Sequence, residues 1–181
     1  MKLFFIILPL LILQSCSDIK PEVTSEIAMT SFYQNQEEIP NSKKVVAVDF
    51  AELDQQYLQN KNDSIYIINF WATWCKPCVK ELPAFEKIAS DYTNKKVKVL
   101  LVSLDFLDKI ESQVIPFIQK NAIQSEVVLL DDPDANTWIP KVSTDWSGAI
   151  PATIIYKKHN RKFYEQSFTF NELETELKTF L

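Results

Sequence analysis

The sequence predicts an α/β domain in which short buried strands alternate with helices. Runs rich in β-branched and aromatic residues, typical of buried strands, lie at 45–48, 65–70, 97–104, 127–130 and 153–156. Segments with apolar residues at helical spacing lie between them, at 51–59, 79–88, 110–121 (interrupted by Pro116) and 135–142. With 181 residues and 46% hydrophobic content, the chain is long enough for one domain with a substantial core.

The C-terminal region continues this alternation. A strand at 162–168 is expected after a turn at 159–160, and a helix is expected at 171–181. Asn171 is a favourable N-cap residue, and acidic residues follow it in the first turn. The sequence therefore predicts a terminal hairpin followed by a closing helix.

Two cysteines stand where a predicted strand gives way to a predicted helix. The segment 74–78 reads WCKPC and lies between 65–70 and 79–88. A C-x-x-C pair at such a junction indicates a thioredoxin-like redox site. The N-terminus of a helix presents unpaired N–H groups and the positive end of the helix dipole. We therefore expect Cys75 to be exposed, with a pKa below the free value of about 8.5, and Cys78 to be more buried.

The spacing also indicates a role for each residue of the motif. Cys75 is predicted to attack a partner disulfide, and Cys78 to resolve the resulting mixed disulfide. Lys76 adds a nearby positive charge, Pro77 fits the first helical turn, and Trp74 is expected to form contact surface. The alternative is a stabilising disulfide that never turns over, although so short a loop constrains the unfolded chain little.

Glu81 is a candidate acid–base residue. On a helix it shares a face with Cys78, three positions earlier, so its carboxylate can lie close to that thiol. Partial burial would raise its pKa and let it accept the Cys78 proton during resolution. The alternative is a solvated acid in an early helical turn, favoured there by the helix dipole alone.

Residues 69–78, NFWATWCKPC, resemble the active-site segment of TlpA/ResA-type thioredoxins, which are membrane-tethered thiol–disulfide oxidoreductases outside the cytoplasm. The resemblance covers about 45–181. It implies a thioredoxin-like fold, a central mixed β-sheet flanked by helices, with the TlpA-type central insertion within 105–151. Ordinary thioredoxins carry a buried Asp at the position of Asn69. Glu81 matches a Glu that these relatives place near the active site.

A second feature of the resemblance is a proline at the entrance to the predicted strand 153–156. Ile150-Pro151 matches the cis-proline that thioredoxin-like proteins hold facing the C-x-x-C pair, and X–Pro bonds adopt the cis form readily. The resemblance implies that the backbone of Ile150 binds a substrate segment as an added strand. The alternative is a trans-proline that begins an edge strand. Gly148, the single glycine, lies close by.

The N-terminal region predicts export and lipid anchoring. A basic start followed by a short apolar run predicts a signal peptide at 1–15 rather than a membrane span. Residues 13–16, LQSC, resemble a bacterial lipobox, which implies that Cys16 is lipidated; the alternative is a spare cysteine in an ordinary signal peptide. Residues 16–44 are polar and predict a flexible tether. The expected location is the bacterial cell envelope, in the periplasm, anchored to a membrane by lipid.

Composition argues against several other classes of protein. The formal net charge of −5 does not favour nucleic-acid binding, and the basic cluster at 157–162 fits a solvated hairpin tip. His159 is the single histidine and lies within that cluster, so a Cys–His catalytic pair is not expected. No cofactor and no metal site are predicted.

The leading hypothesis is a lipid-anchored thiol–disulfide oxidoreductase. The resemblance implies a reductase rather than an oxidant, since the residues between Cys75 and Cys78 do not include the histidine of strongly oxidising relatives. Its substrates would be protein disulfides, either those of apocytochrome c, as in several relatives, or those of mispaired envelope proteins. A membrane electron donor of the DsbD/CcdA type would reduce it. The first alternative is a copper-binding thioredoxin-fold chaperone, because thiolates suit Cu(I); those relatives, however, pair a C-x-x-x-C with a histidine. The second is a redox-inert interaction module.

Overall fold

A computed structural model describes residues 44–181. The predicted signal peptide, Cys16 and nearly all of the predicted tether lie outside the described residues. The described part contains a six-stranded sheet. Its strands are β1 Val46–Val48, β2 Ile65–Trp71, β3 Val97–Ser103, β4 Glu126–Leu130, β5 Ala152–Lys157 and β6 Asn160–Tyr164.

The sheet is mixed, as the resemblance to TlpA/ResA-type thioredoxins implies. Its strand order is β1-β4-β3-β2-β5-β6. The first four strands in this order pair in parallel, whereas β5 and β6 pair antiparallel. Parallel neighbours need long crossover connections, and helices provide them here. The thioredoxin-like α/β architecture is therefore confirmed.

Helices cover both faces of the sheet. They are α1 Phe50–Leu53, α2 Lys76–Asp91, α3 Ile115–Lys120, α4 Ala135–Val142 and α5 Phe170–Lys178. A π-helical turn, Asp54–Leu58, extends α1, and another, Ile110–Val114, leads into α3. Pro116 lies in the first turn of α3, directly after this second π-helical turn. None of the helices within 44–181 combines the length and apolarity needed to cross a membrane.

The central strand β2 explains how the core is divided. All seven of its residues are buried. Because side chains alternate along a strand, Ile67 and Trp71 join the core beneath α2, α3 and α5. Ile68 and Phe70 join the second core, beneath α1 and α4. A strand buried on both faces holds its carboxyl end rigidly, and that end leads directly into the C-x-x-C segment.

The predicted boundaries of both β6 and α5 are wrong: β6 begins at Asn160 rather than at 162, and α5 ends at Lys178 rather than at 181. Strand β6 ends at Tyr164 rather than at 168. Helix α5 begins earlier than expected, because Thr169 caps it instead of Asn171. The Thr169 side chain accepts a hydrogen bond from the Glu172 N–H, and the Glu172 carboxylate accepts one from the Thr169 N–H. This reciprocal capping box satisfies two backbone N–H groups at the start of the helix.

Candidate functional site

The two motif cysteines lie at the junction of β2 and α2. Cys75 is the N-cap of α2, and Lys76 and Pro77 form the first positions of the helix. Cys75 and Cys78 are joined by a disulfide, with their Cα atoms 5.3 Å apart. Cys75 therefore lies at the N-terminus of α2, just after β2, and Cys78 lies in the first turn of α2.

The helix end supplies a hydrogen-bond donor to the first sulfur. The Cys78 backbone N–H donates to Cys75 Sγ over 3.3 Å. The N–H groups of a first helical turn lack partners within their helix, and the helix dipole favours negative charge at this end. A sulfur placed here is stabilised as a thiolate once the disulfide is opened.

Cys75 is less exposed than the sequence suggests. It is only 6% exposed, and Cys78 is fully buried, so the expected order of burial holds but the expected exposure of Cys75 is wrong. The cause is a loop packed over the disulfide: the Ile150 carbonyl oxygen lies 3.8 Å from Cys75 Sγ. The loop at Ile150 therefore borders the disulfide.

The predicted cis-proline is present. The Ile150-Pro151 bond is cis and immediately precedes β5, whose Ala152 pairs with Phe70 of β2. Gly148 has a φ of +93°, in the region that favours glycine. The Trp146 indole N–H donates to the Ala149 carbonyl over 2.8 Å, which fixes the turn before the proline.

A buried carboxylate holds the loop before Cys75. The Thr73 N–H donates to Asp105 Oδ2 over 2.9 Å, and the Thr73 hydroxyl donates to Oδ1 over 2.6 Å. The Ser103 hydroxyl donates to Oδ2 over 2.8 Å. Asp105 stands at the start of the predicted central insertion and was not predicted to be a site residue. A polar S-x-D pattern at the end of a buried strand was the available signal.

Glu81 is a buried acid rather than a solvated one. It is 3% exposed, so the alternative of a solvated helical carboxylate is wrong. Asn69 Nδ2 donates to its Oε1 over 2.8 Å, and the Phe168 N–H donates to its Oε2 over 2.7 Å. Burial raises the pKa of Glu81 to about 7, against the opposing effect of these two hydrogen bonds. The group is thus poised to exchange a proton near neutral pH.

Sequence reasoning missed the residues that hold Glu81. Asn69 Nδ2 also donates to the Thr153 hydroxyl over 3.1 Å, and the two residues are paired across β2 and β5. Both are fully buried. An amide within an otherwise apolar central strand was a usable signal for Asn69. Phe168 contributes only a backbone N–H, which no residue type reveals.

Exposed residues surround the disulfide. Trp74 is 61% exposed, whereas Trp71 is fully buried in the core. Lys76 and Pro77 are exposed at the helix end. A groove of about 530 Å³ opens beside the helix and reaches Glu81, and its lining includes Pro77, Lys80, Ala84, Lys87, Phe168 and Phe170. Trp74, Lys76 and Pro77 thus adjoin the cysteines along the chain, the Ile150 carbonyl oxygen lies 3.8 Å from Cys75 Sγ, and Glu81 lies three residues after Cys78 on α2.

The single histidine lies far from the cysteines. His159 is in the turn between β5 and β6, at the end of β5 opposite to Pro151. Six strand residues separate the two ends, which corresponds to about 20 Å. Within 44–181, no three residues of the types that usually bind metals come close enough together to hold an ion.

Comparison with known proteins gives relatives that include proteins named thiol-disulfide oxidoreductases. Thiol-disulfide oxidoreductase ResA of Bacillus cereus is 26% identical over 132 residues, covering 72% of this chain and 71% of that protein. Sporulation thiol-disulfide oxidoreductase A of Bacillus subtilis (strain 168) is 30% identical over 96 residues, covering 53% and 58%. Thioredoxin-like protein YneN of the same organism is 41% identical over 64 residues, 35% of this chain and little more than a third (37%) of its own length.

Solved structures share the fold. The thioredoxin-related protein from Neisseria meningitidis serogroup B gives a TM-score of 0.58 at 24% identity, covering 69% of this chain and 90% of that one. A DsbF homologue from Corynebacterium diphtheriae gives a TM-score of 0.54 at 22% identity, covering 70% and 75%. The resemblance to TlpA/ResA-type thioredoxins is confirmed at the level of fold and sequence. Residues 37–161, well over half of the chain, match the family model described as AhpC/TSA, and the chain belongs to the AhpC/TSA family.

Proposed function

We propose that this protein is a thiol–disulfide oxidoreductase that exchanges disulfides with other proteins through Cys75 and Cys78. The observation that carries the proposal is the disulfide at the start of α2. Its Cys75 Sγ accepts a hydrogen bond from the Cys78 backbone N–H over 3.3 Å. Its relatives named thiol-disulfide oxidoreductases support the same chemistry. A purely structural role is less well supported, because a disulfide between residues only three positions apart adds little stability.

The first step begins with the reduced protein. The Cys75 thiolate attacks one sulfur of a partner disulfide, a mixed disulfide forms, and the other partner sulfur leaves as a thiolate. The helix N-terminus and the Cys78 N–H stabilise the attacking thiolate. The backbone of Ile150 lies beside the sulfur and offers an edge on which an extended partner segment can lie.

The second step releases the partner. The Cys78 thiol loses its proton, and the resulting thiolate attacks Cys75 Sγ of the mixed disulfide. The Cys75–Cys78 disulfide forms, and the partner leaves with its second sulfur reduced. Glu81 is the proposed acceptor of the Cys78 proton, since it lies three residues along α2 and its pKa of about 7 suits transfer near neutral pH.

We propose further that the direction is reductive and that the protein works in the cell envelope. A dithiol donor in the membrane, of the DsbD/CcdA type, would return two electrons and two protons to the disulfide. Substrates would be envelope protein disulfides, including apocytochrome c during cytochrome c maturation. The C-x-x-C segment without histidine supports a reductase, and the lipobox-like residues before Cys16 support a lipid anchor.

Trapping a mixed disulfide tests the exchange chemistry. Reduced Cys78→Ser protein should accumulate covalent complexes with disulfide-containing proteins, whereas Cys75→Ser protein should accumulate none. Non-reducing electrophoresis followed by mass spectrometry identifies the bonded cysteine. Equal trapping by both variants, or by neither, would refute the assigned roles.

The direction and the anchor need separate measurements. A reduction potential near about −270 mV supports a reductase, and one near about −180 mV or above supports an oxidant or isomerase. Metabolic labelling with a fatty acid should mark the full chain and fail on Cys16→Ala. Labelling of that variant would refute the anchor but leave the exchange chemistry untouched.

A further inference from the structure

Both oxygens of the Glu81 carboxylate accept hydrogen bonds from N–H donors. Asn69 Nδ2 donates to Oε1, and the Phe168 backbone N–H donates to Oε2. This arrangement fits the ionised carboxylate, which only accepts hydrogen bonds. Glu81 is 3% exposed, so water does not readily replace either donor.

The same arrangement does not fit the protonated acid. A neutral carboxyl group carries an O–H that needs an acceptor, and a buried donor without one costs about 1–3 kcal/mol. The Phe168 N–H is fixed in the backbone and stays a donor. Asn69 is different, because its side chain has an acceptor, Oδ1, at the end of the same amide. This Oδ1 is buried and accepts no hydrogen bond from the residues between 44 and 181.

We propose that Asn69 is a positioning residue whose amide turns by half a turn when Glu81 takes up a proton, so that Oδ1 replaces Nδ2 opposite the carboxyl group. The inference rests on the proposed function, in which Glu81 accepts the Cys78 proton. In one orientation Nδ2 donates to the carboxylate. In the other, Oδ1 accepts from the protonated carboxyl group. Asn69 thereby supports both protonation states of one buried acid.

Thr153 allows the Asn69 amide to make two hydrogen bonds in either orientation. With the amide as observed, Nδ2 donates to the Thr153 hydroxyl oxygen as well as to Glu81. After the turn, the Thr153 hydroxyl rotates and donates to Oδ1, since a hydroxyl both donates and accepts. Each orientation therefore has two hydrogen bonds at one amide atom and leaves the other amide atom unpaired. The turn therefore moves the unpaired position from Oδ1 to Nδ2, and it gives the protonated carboxyl group the acceptor that it lacks in the observed orientation.

Among the groups around Glu81, the pair formed by Asn69 and Thr153 is the one whose hydrogen bonds can change with the protonation of Glu81. Asn69 faces it from β2, Thr153 lies beside Asn69 on β5, Phe168 precedes α5, and the disulfide lies one helical turn earlier on α2. The charged groups nearby are Lys80 and Lys87, which line the groove that reaches Glu81; Lys87 is bound to Asp91. No charged side chain of the described residues hydrogen-bonds to Glu81.

Nuclear magnetic resonance can follow the amide directly. In the oxidised full chain, carboxyl-labelled glutamate reports the protonation of Glu81, and amide-labelled asparagine reports the Asn69 side chain. The Asn69 amide signal should shift with the same midpoint as the Glu81 carboxyl signal. Contacts between the Nδ2 protons and the Thr153 side chain should weaken below that midpoint. An Asn69 signal that keeps its position and contacts while Glu81 titrates would overturn the proposal.

Glu81→Gln provides the matched control. A glutamine amide is a permanent donor of nearly the same shape as the protonated acid, so Asn69 should stay turned at every pH. Its signal should match that of the native protein below the midpoint and show no titration. A match to the native signal above the midpoint would also overturn the proposal. Neither result depends on turnover, so failure of the redox function would appear only in the trapping experiment.

Discussion

Asp105 holds Thr73 by two hydrogen bonds, one to its backbone N–H at 2.9 Å and one to its hydroxyl at 2.6 Å. The bonds join the end of β3 to the loop that carries Trp74 and Cys75. Asp105 is 4% exposed, and the Ser103 hydroxyl gives it a third donor. The position of the first cysteine therefore depends on a carboxylate from a distant part of the chain.

Replacing Asp105 with Ala should destabilise the protein by about 3 kcal/mol, because three donors lose their shared acceptor in a buried place. Thr73→Ala is the matched control. It removes one side-chain hydrogen bond and should cost about 1 kcal/mol. Urea unfolding of both oxidised variants measures the two changes. Equal losses would show that the Asp105 contacts to Ser103 and to the Thr73 backbone contribute nothing.

Substitution of the two tryptophans just before Cys75 should affect stability and partner recognition separately. Trp71 is fully buried, so Trp71→Ala should cost about 3–5 kcal/mol of unfolding free energy. Trp74 is 61% exposed, and Trp74→Ala should change stability by less than about 0.5 kcal/mol.

Trp74→Ala should instead slow exchange with a protein disulfide by about tenfold. This corresponds to about 1.4 kcal/mol of interaction free energy lost between the indole and the partner protein. Exchange with a small soluble disulfide should stay unchanged, because such a molecule covers little of the indole. Stopped-flow rates for the two substrates test this difference. A similar slowing with both substrates would mean that Trp74 acts on Cys75 rather than on the partner.

Local sequence patterns predicted what lies close together along the chain. The strand–helix junction and the burial order of the cysteines follow from short segments with strong preferences, whereas the cis-proline was implied by the resemblance to thioredoxin-like proteins. The exposure of Cys75 was mispredicted because the loop that covers it, at Ile150, comes from a distant part of the chain. The partners of Glu81 were missed for the same reason, since the Phe168 backbone N–H lies 87 residues away.

The capping of α5 was mispredicted for a different reason. Thr169 and Asn171 are both good N-cap residues, and each has a glutamate three positions later. The Glu172 carboxylate completes the capping box of Thr169, whereas the Glu174 carboxylate binds Tyr92 and Lys178 instead. Tertiary contacts therefore decided between two caps that local preference leaves nearly equal.

Gly148 should tolerate substitution poorly. Its φ of +93° is unfavourable for any residue with a Cβ, and an added Cβ would lie 3.2 Å from Ile139 Cδ1. Gly148→Ala should therefore lower the unfolding free energy by about 1–3 kcal/mol. Ala122 has a φ of +51°, so Ala122→Gly is the opposite change at an exposed site and should stabilise by up to about 1 kcal/mol. Thermal unfolding of both variants checks the two signs.

The raised pKa of Glu81 predicts a pH-dependent stability. The ordinary value is 4.5 and the folded value is about 7, so between these values the folded chain binds more protons than the unfolded chain. Stability must then fall as the pH rises through this window. A shift of this size corresponds to about 3 kcal/mol at the upper end.

Glu81→Gln isolates this contribution, because glutamine does not ionise while every other titrating group stays in place. The unfolding free energy of the oxidised native protein should fall, relative to that of the variant, by about 3 kcal/mol between about pH 4 and about pH 8. Most of the fall should occur between the two pKa values. Urea unfolding at closely spaced pH values measures it. A constant difference across the range would mean that Glu81 ionises as easily in the folded protein as in the unfolded chain, and the acid–base role would then lose its physical basis.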